Sequence, residues 1–216
     1  MGDAMIPSEV ECLRLMAHYR MPDHIREHSL LVAQVSGLLT RLLVERGRDL
    51  RVDLAVAGGL LHDIAKAMCL DGGCRHAELG REICREHGFV ELEPLVAEHV
   101  VLRQGFNGHC GERELVFYAD KRVQHSQLVS LAQRRDDIIQ RYAANDPPRQ
   151  ELIRQNFLLC QRLEEHIFAE LPLAADDLGT WLANEEYSLS ALNGMSSASV
   201  CGPAVARAAN LGSSER

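Results

Sequence analysis

Six residues within the first 120 positions have types and spacings suited to holding a metal ion. The doublet His62-Asp63 sits in the stretch DLAVAGGLLHDIAK, which is apolar almost all round. A helix with that pattern is buried on every side, and a carboxylate there is costly unless it is paired with a cation or bound to a metal. Pairing with His62 or Lys66 is one answer, and the other histidines point to a second. His28 shares an apolar stripe with Leu31 and Val35. His99 lies on the stripe of Leu92, Leu95, Val96 and Leu102, and His76 opens the stripe of Leu79 and Ile83. Asp120 follows Val116 and precedes Val123 at helical spacing. A lone histidine on such a face is ordinarily a satisfied core residue. Here histidines and aspartates on separate predicted helices face inward together, with no matching supply of buried cations. A shared metal explains them jointly, and neutral imidazole with carboxylate suits Mn, Fe, Ni or Zn.

The elements that must position these groups read as helices throughout. Ser8 with Glu11 makes a capping box that opens a helix through about Tyr19. Met21-Pro22-Asp23 breaks it, and a long amphipathic helix follows from about Asp23 to Arg46, with Gly47 beyond its end. The buried helix spans roughly Asp53 to Lys66. Further helices are expected at His76–His87, Glu91–Arg103 and Glu112–Val123, with a turn at Asn107-Gly108 before the last. A polar helix runs from Gln127 to about Ala144, and Asn145-Asp146-Pro147-Pro148 stops it. Another runs from Arg149 to Glu170, ended by Pro172, and a short one covers about Asp176–Asn184. No strand pattern is found. The fold class is all-α, with one domain over residues 1–187: a core at about 20–125 and a helical extension at about 126–187. Residues 188–216, rich in Ser, Ala and Gly, read as a mostly disordered tail.

The apolar fraction of 46% is enough for a core, and aromatics at 5% leave it to Leu, Val, Ile and Ala. A formal net charge of -8 disfavours a nucleic-acid polymer as partner. Arg134-Arg135, followed by Asp136-Asp137, reads as a solvated helix face. A small phosphorylated substrate remains compatible, because a metal supplies the positive charge that the surface lacks. The seven cysteines form no CxxC pair, so neither a disulfide framework nor a thiolate zinc site is signalled. Cys69 and Cys74 flank a glycine loop near the doublet. No signal peptide and no apolar run of membrane-spanning length is present, so a cytoplasmic location without membrane association is expected. A homodimer is compatible with all of this.

His28, the doublet His62-Asp63 and Asp120, in the contexts HIREHSLLVAQVSGLL, AGGLLHDIAK and LVFYADKRV, resemble the H…HD…D pattern of the HD-domain phosphohydrolases over about residues 20–125. RHAELG and VAEHVV, which carry His76 and His99, resemble the additional histidine motifs of two-metal branches, including the one that hydrolyses diadenosine tetraphosphate symmetrically. The resemblance implies an HD helical bundle with two divalent ions, Fe or Mn or in their place Ni, Zn, Co or Mg. Asp63 would bridge them, His28, His62 and Asp120 would complete one sphere, and His76 and His99 would serve the other. It further implies hydrolysis of a phosphoester or phosphoanhydride in a nucleotide-like substrate by metal-activated hydroxide, with a dinucleoside polyphosphate as the specific expectation. Asp63 and Lys66 would be catalytic.

Lys66, in the HDxxK context, either meets substrate phosphate or pairs with Asp63. Lys121 and Arg122 are weaker substrate-binding candidates, for which exposed charge is the competing reading. His24 is a surface residue or an outer support of a ligand, and His87 a helix-end cap or a substitute for His76. Two other readings share the ligand pattern. HD-like domains also serve as ligand-binding accessory modules, some joined to nucleotidyltransferases of the molybdenum-cofactor type, and an HD-type di-iron oxygenase uses the same six ligands.

Overall fold

The computed structural model describes residues 5–70 and 72–184. The expected tail from 188 lies outside the described residues. The fold is all-α. Its helices are α1 (Glu9–His18), α2 (Asp23–Glu45), α3 (Val52–Leu61), α4 (His76–Glu86), α5 (Glu93–Glu98), α6 (Glu112–Arg122), α7 (Leu131–Tyr142), α8 (Pro147–Glu170) and α9 (Leu178–Leu182). Short 3-10 turns at Ala67–Cys69, Val90–Leu92 and Ala175–Asp177 complete the helical content.

The amphipathic α2 is the spine. On one side its Val32, Val35, Leu39 and Leu42 join Leu115 and Phe117 of α6 and Phe157, Leu163 and Ile167 of α8 in a single core. On the other side Ala33 joins Met16 of α1, Leu60, Leu61 and Ile64 of the α3 region, and Leu92, Leu95 and Val96. The α2–α3 approach is close because Gly59 has no side chain. A Cβ placed there would sit 2.6 Å from the Cα of Ala33 and 2.9 Å from Ser36 Oγ.

Several boundaries differ from the expected ones, each for a local reason. α3 stops at Leu61 rather than Lys66. Beyond it the chain tightens into i→i+3 bonds, Ile64 N–H to Leu61 O and Lys66 N–H to Asp63 O. α5 is confined to Glu93–Glu98, with Pro94 in its first turn and His99 at its end. The helix expected from Gln127 begins only at Leu131, where Ser130 and Gln133 form a capping box. Before it lies a two-residue antiparallel hairpin, β1 (Val123–Gln124) and β2 (Gln127–Leu128), whose turn holds His125 at φ +55°. α8 starts two residues before the expected Arg149, because prolines are accommodated in a first helical turn, where their missing N–H has no partner to lose.

The expectation for the cysteines is corrected. Cys69 and Cys74 form a disulfide across the glycine loop, their Cα atoms 5.1 Å apart. The loop folds back on itself and brings them within bridging distance, which a spacing of five residues does not announce. The four other described cysteines, Cys12, Cys84, Cys110 and Cys160, are buried free thiols.

Candidate metal centre

The six candidate ligands converge from five places. His28 comes from the first turns of α2, His62 and Asp63 from the turn after α3, His76 from the start of α4, His99 from the end of α5 and Asp120 from α6. His62, Asp63 and His99 are at most 2% exposed. His28 and Asp120 are buried, and His76 is half-buried at the rim.

Three of the histidines are oriented by one device. The Nδ1 of His62 lies 2.7 Å from the carbonyl of Gly59, that of His99 2.7 Å from the carbonyl of Val96, and that of His28 3.1 Å from the carbonyl of His125. A carbonyl only accepts, so each Nδ1 carries the proton and donates it. In the neutral ring each Nε2 then presents a lone pair, and all three Nε2 atoms point inward. This is the outer support that fixes tautomer and ring plane in metal-binding histidines.

The inward atoms form two groups of three whose donors lie within 4.8 Å of one another: His28, His62 and Asp63, and Asp63, His76 and His99. Asp120 Oδ1 borders the first, 3.0 Å from His28 Nε2 and 3.6 Å from His62 Nε2. Asp63 borders both. Its Oδ2 is 3.4 Å from His62 Nε2, and its Oδ1 is 3.4 Å from the Nε2 atoms of both His76 and His99. The His62 Nε2 and Asp63 Oδ1 atoms are buried without a hydrogen-bond partner. Such orphans are costly, and here His62 Nε2 lies against Asp63 Oδ2 while Asp63 Oδ1 lies against the Nε2 atoms of His76 and His99. An ion bound about 2.1 Å from each donor would space the donors roughly 3.0–3.4 Å apart. The set therefore fits divalent metal by donor type, by spacing and by its unsatisfied atoms.

Charge is arranged to suit. Burial pushes His76 down to about 4 and lowers His99 as well, so both imidazoles are neutral near pH 7, the form in which an imidazole can bind a metal. Burial opposes the ionised form of Asp63, yet His62 and Lys66 beside it hold its carboxyl well below the usual range. Asp120 is likewise held low against burial, by Lys121 and by the imidazole of His28. His62 is the exception. Burial lowers it, but the carboxylates of Asp63 and Asp120 outweigh that and raise it to about 9.

Lys66 Nζ is 2.6 Å from Asp63 Oδ2, so the ion-pair reading of this residue holds, while its side chain still borders the cavity above the centre. Lys121 and Arg122 are both buried, which corrects the expectation of exposed charge. Lys121 donates to Asp120 Oδ2 at 2.7 Å and to the His99 carbonyl at 2.8 Å. Arg122 turns away. It joins Glu164 on α8 and the carbonyls of Val129 and Ala175, and it does not line the cavity above the centre. His24 is exposed, and His87 ends α4 and meets the Tyr19 hydroxyl at 3.0 Å, so neither joins the centre.

A cavity of about 630 Å³ opens over His76, His99 and Asp120. Its far wall comes from α7 and α8 and includes Arg134, Tyr142, Arg149, Leu152 and Asn156. Arg134 is thus not on a solvated face: its side chain is 12% exposed and pairs with Asp137 at 2.9 Å. Sequence reasoning missed this wall.

The HD domain family matches residues 25–138, a span of more than half the chain that contains all six candidate ligands. The chain belongs to the HD-domain family. This HD protein is 37% identical over 76 residues to the Methanocaldococcus jannaschii protein MJ0778, covering 35% of this chain and 44% of that one. It is 27% identical over 166 residues to the ribonuclease Y of Campylobacter curvus, covering 73% of this chain and 29% of that one. It is 40% identical over 118 residues to the ribonuclease Y of Fervidobacterium nodosum, covering 53% and 20%. The HD chain thus spans less than half the length of each of these relatives. No solved structure matches it. No helix among the described residues is long and apolar enough to cross a membrane.

Proposed function

We propose that this HD protein is a metal-dependent phosphohydrolase that cleaves a phosphoester or phosphoanhydride bond in a nucleotide-like substrate. The observation that carries the reading is Asp63, one buried carboxylate bordered by two histidine groups, beside a substrate-sized cavity lined by His76, His99 and Asp120. His28, His62 and Asp120 would hold one ion and His76 and His99 a second, with Asp63 between them. When bound, such ions supply Lewis-acid polarisation of a phosphoryl oxygen and an acidified water. Lys66 keeps Asp63 ionised and brings its ammonium to the cavity, where a phosphate oxygen can accept from it. Lys121 fixes the carboxylate of Asp120 and, through the backbone, the position of His99. The walls exclude bulk water from one side of the centre, which strengthens these interactions.

The dinucleoside polyphosphate assignment rests on the motifs around His76 and His99 alone. The relatives named ribonuclease favour a second reading, an RNA phosphodiester as substrate, against the acidic net charge. The test is release of phosphate and nucleotide from a panel with added Mn²⁺ or anaerobic Fe²⁺, with Asp63→Ala as the blank. The panel holds nucleoside mono-, di- and triphosphates, diadenosine tetraphosphate, cyclic dinucleotides and a short oligoribonucleotide. Turnover absent in the variant supports hydrolysis and its products name the bond. Bound metal without turnover overturns the reading in favour of an accessory module, and substrate-coupled oxygen consumption overturns it in favour of an oxygenase.

A further inference from the structure

The cavity wall opposite the metal centre is not part of the matched family segment over most of its length. α8 begins at Pro147, beyond residue 138, so the HD-domain match does not by itself say what this wall selects. Four cations line the cavity: Lys66, Lys121, Arg134 and Arg149. Three of them are neutralised locally. Lys66 pairs with Asp63 at 2.6 Å, Lys121 with Asp120 at 2.7 Å and Arg134 with Asp137 at 2.9 Å. Arg149 differs. Its backbone N–H is held by Asp146 in the first turn of α8, while its guanidinium makes no ion pair with any described residue. In a chain of net charge -8, an arginine that makes no ion pair with a described residue and lines a cavity of about 630 Å³ is a selective feature. It has a fork of donors suited to an anionic oxygen pair.

The surroundings are equally specific. Leu70 is 69% exposed, Leu152 66%, Tyr142 53% and Val101 52%, and all four line this cavity. Exposed large apolar side chains gathered at one mouth mark a binding surface rather than scattered surface residues. Tyr142 of α7 and Arg149 and Leu152 of α8 line the cavity together, and Leu70 and Val101 line it from the segments after α3 and α5. Arg134 adds a buried Nε with no hydrogen-bond partner.

We propose that Arg149, which lines the cavity together with Tyr142 and Leu152, is a distal anion subsite, and that the substrate is a small molecule with two separated anionic groups on one nucleoside-like body. One phosphate sits at the metal centre, the body lies between the apolar walls, and the second anionic group is gripped by Arg149. The proposal rests on the reading that a phosphorylated ligand occupies this cavity. Arg149 acts in specificity and takes no part in bond breaking.

The probes are adenosine 5′-monophosphate and adenosine 3′,5′-bisphosphate, which differ by one distal phosphate, and an oligoribonucleotide. Affinity is measured on the Mn²⁺-loaded full chain, as Kd or as KM where the ligand is turned over. The wild type should prefer the bisphosphate by roughly tenfold or more, the worth of one charge-assisted contact. Arg149→Gln should reduce that preference to near unity while leaving the melting temperature unchanged, since the side chain is exposed and makes no ion pair with a described residue. Arg149→Lys should restore part of it. Equal wild-type affinity for the two nucleotides overturns the proposal, as does a preference that survives in Arg149→Gln. Tighter binding of the oligoribonucleotide than of both nucleotides overturns the small-molecule assignment. Arg149-dependent binding without turnover of any phosphorylated compound would remove the hydrolase reading and keep the subsite. Turnover without Arg149 dependence would do the reverse.

Discussion

Asp63 and His76 differ in how much of the centre depends on them. Asp63 borders both donor groups, whereas His76 belongs to one. Asp63→Asn is therefore expected to lose all bound metal, and His76→Ala to keep the ion on the His28 side. Elemental analysis after gel filtration checks this, and equal losses in the two variants would contradict the shared-carboxylate arrangement. His62 gives a pH signature. Its folded-state pKa of about 9 lies above the ordinary 6.5, so its contribution to stability is full below pH 6.5 and is lost as pH rises through about 9. The melting temperature of the metal-stripped chain should fall across that window. The metal-loaded chain should not follow it, because a ligating imidazole has already released its proton. Parallel melts at pH 6 and 9.5, with and without chelator, decide the matter. At this scale the six donors were legible as polar residues on apolar stripes. Lys121 and Arg122 were misread because helical spacing gives a side chain's direction but not what stands opposite. Arg122 is covered by Glu164 and by the carbonyls of Val129 and Ala175, from segments far along the chain. The carbonyl of His125, which holds His28 in place, leaves no signal in residue types.

At the scale of elements, α3 and α5 end in the same way. In each, a histidine just past the last turn donates Nδ1–H to the carbonyl three residues back, so one contact caps the helix and aims a ligand. This is why helix periodicity overran both ends: the apolar pattern continues through Ile64 and Leu102, while the hydrogen bonding does not. The hairpin at 123–128 was missed because two-residue strands carry no alternation to detect. The Ser130–Gln133 capping box, by contrast, was present in the sequence and marks the true start of α7. Gly59 ties these ideas together, since its missing side chain admits Ala33 and its carbonyl anchors His62. Gly59→Ala should force α2 and α3 apart, costing about 1–3 kcal/mol, and should also weaken metal binding. Chemical denaturation and metal titration of the same sample test both effects. A variant with unchanged stability would mean that the helices part without strain.

The whole molecule is two cores on either side of α2, and the centre lies where α2, α3, α5 and α6 meet between them. The all-α class was plain from the sequence, but the place of the C-terminal extension was not, because its apolar residues are too sparsely patterned to name a partner. In the structure Phe157, Cys160, Leu163 and Ile167 of α8 complete the core formed with α2 and α6. Phe157→Ala should therefore cost roughly 3–5 kcal/mol, read from the denaturation midpoint. A loss below about 1 kcal/mol would detach the extension from the folding unit. The Cys69–Cys74 bridge has a consequence of its own for how the chain holds together when it is cut. Leu70 is 69% exposed within the loop it closes, an accessible place for a protease. A nick there would leave the two fragments covalently joined. On a denaturing gel the nicked protein should run as one full-length band without reductant and as two shorter bands with it, and separation without reductant would show the two sulfurs unbonded.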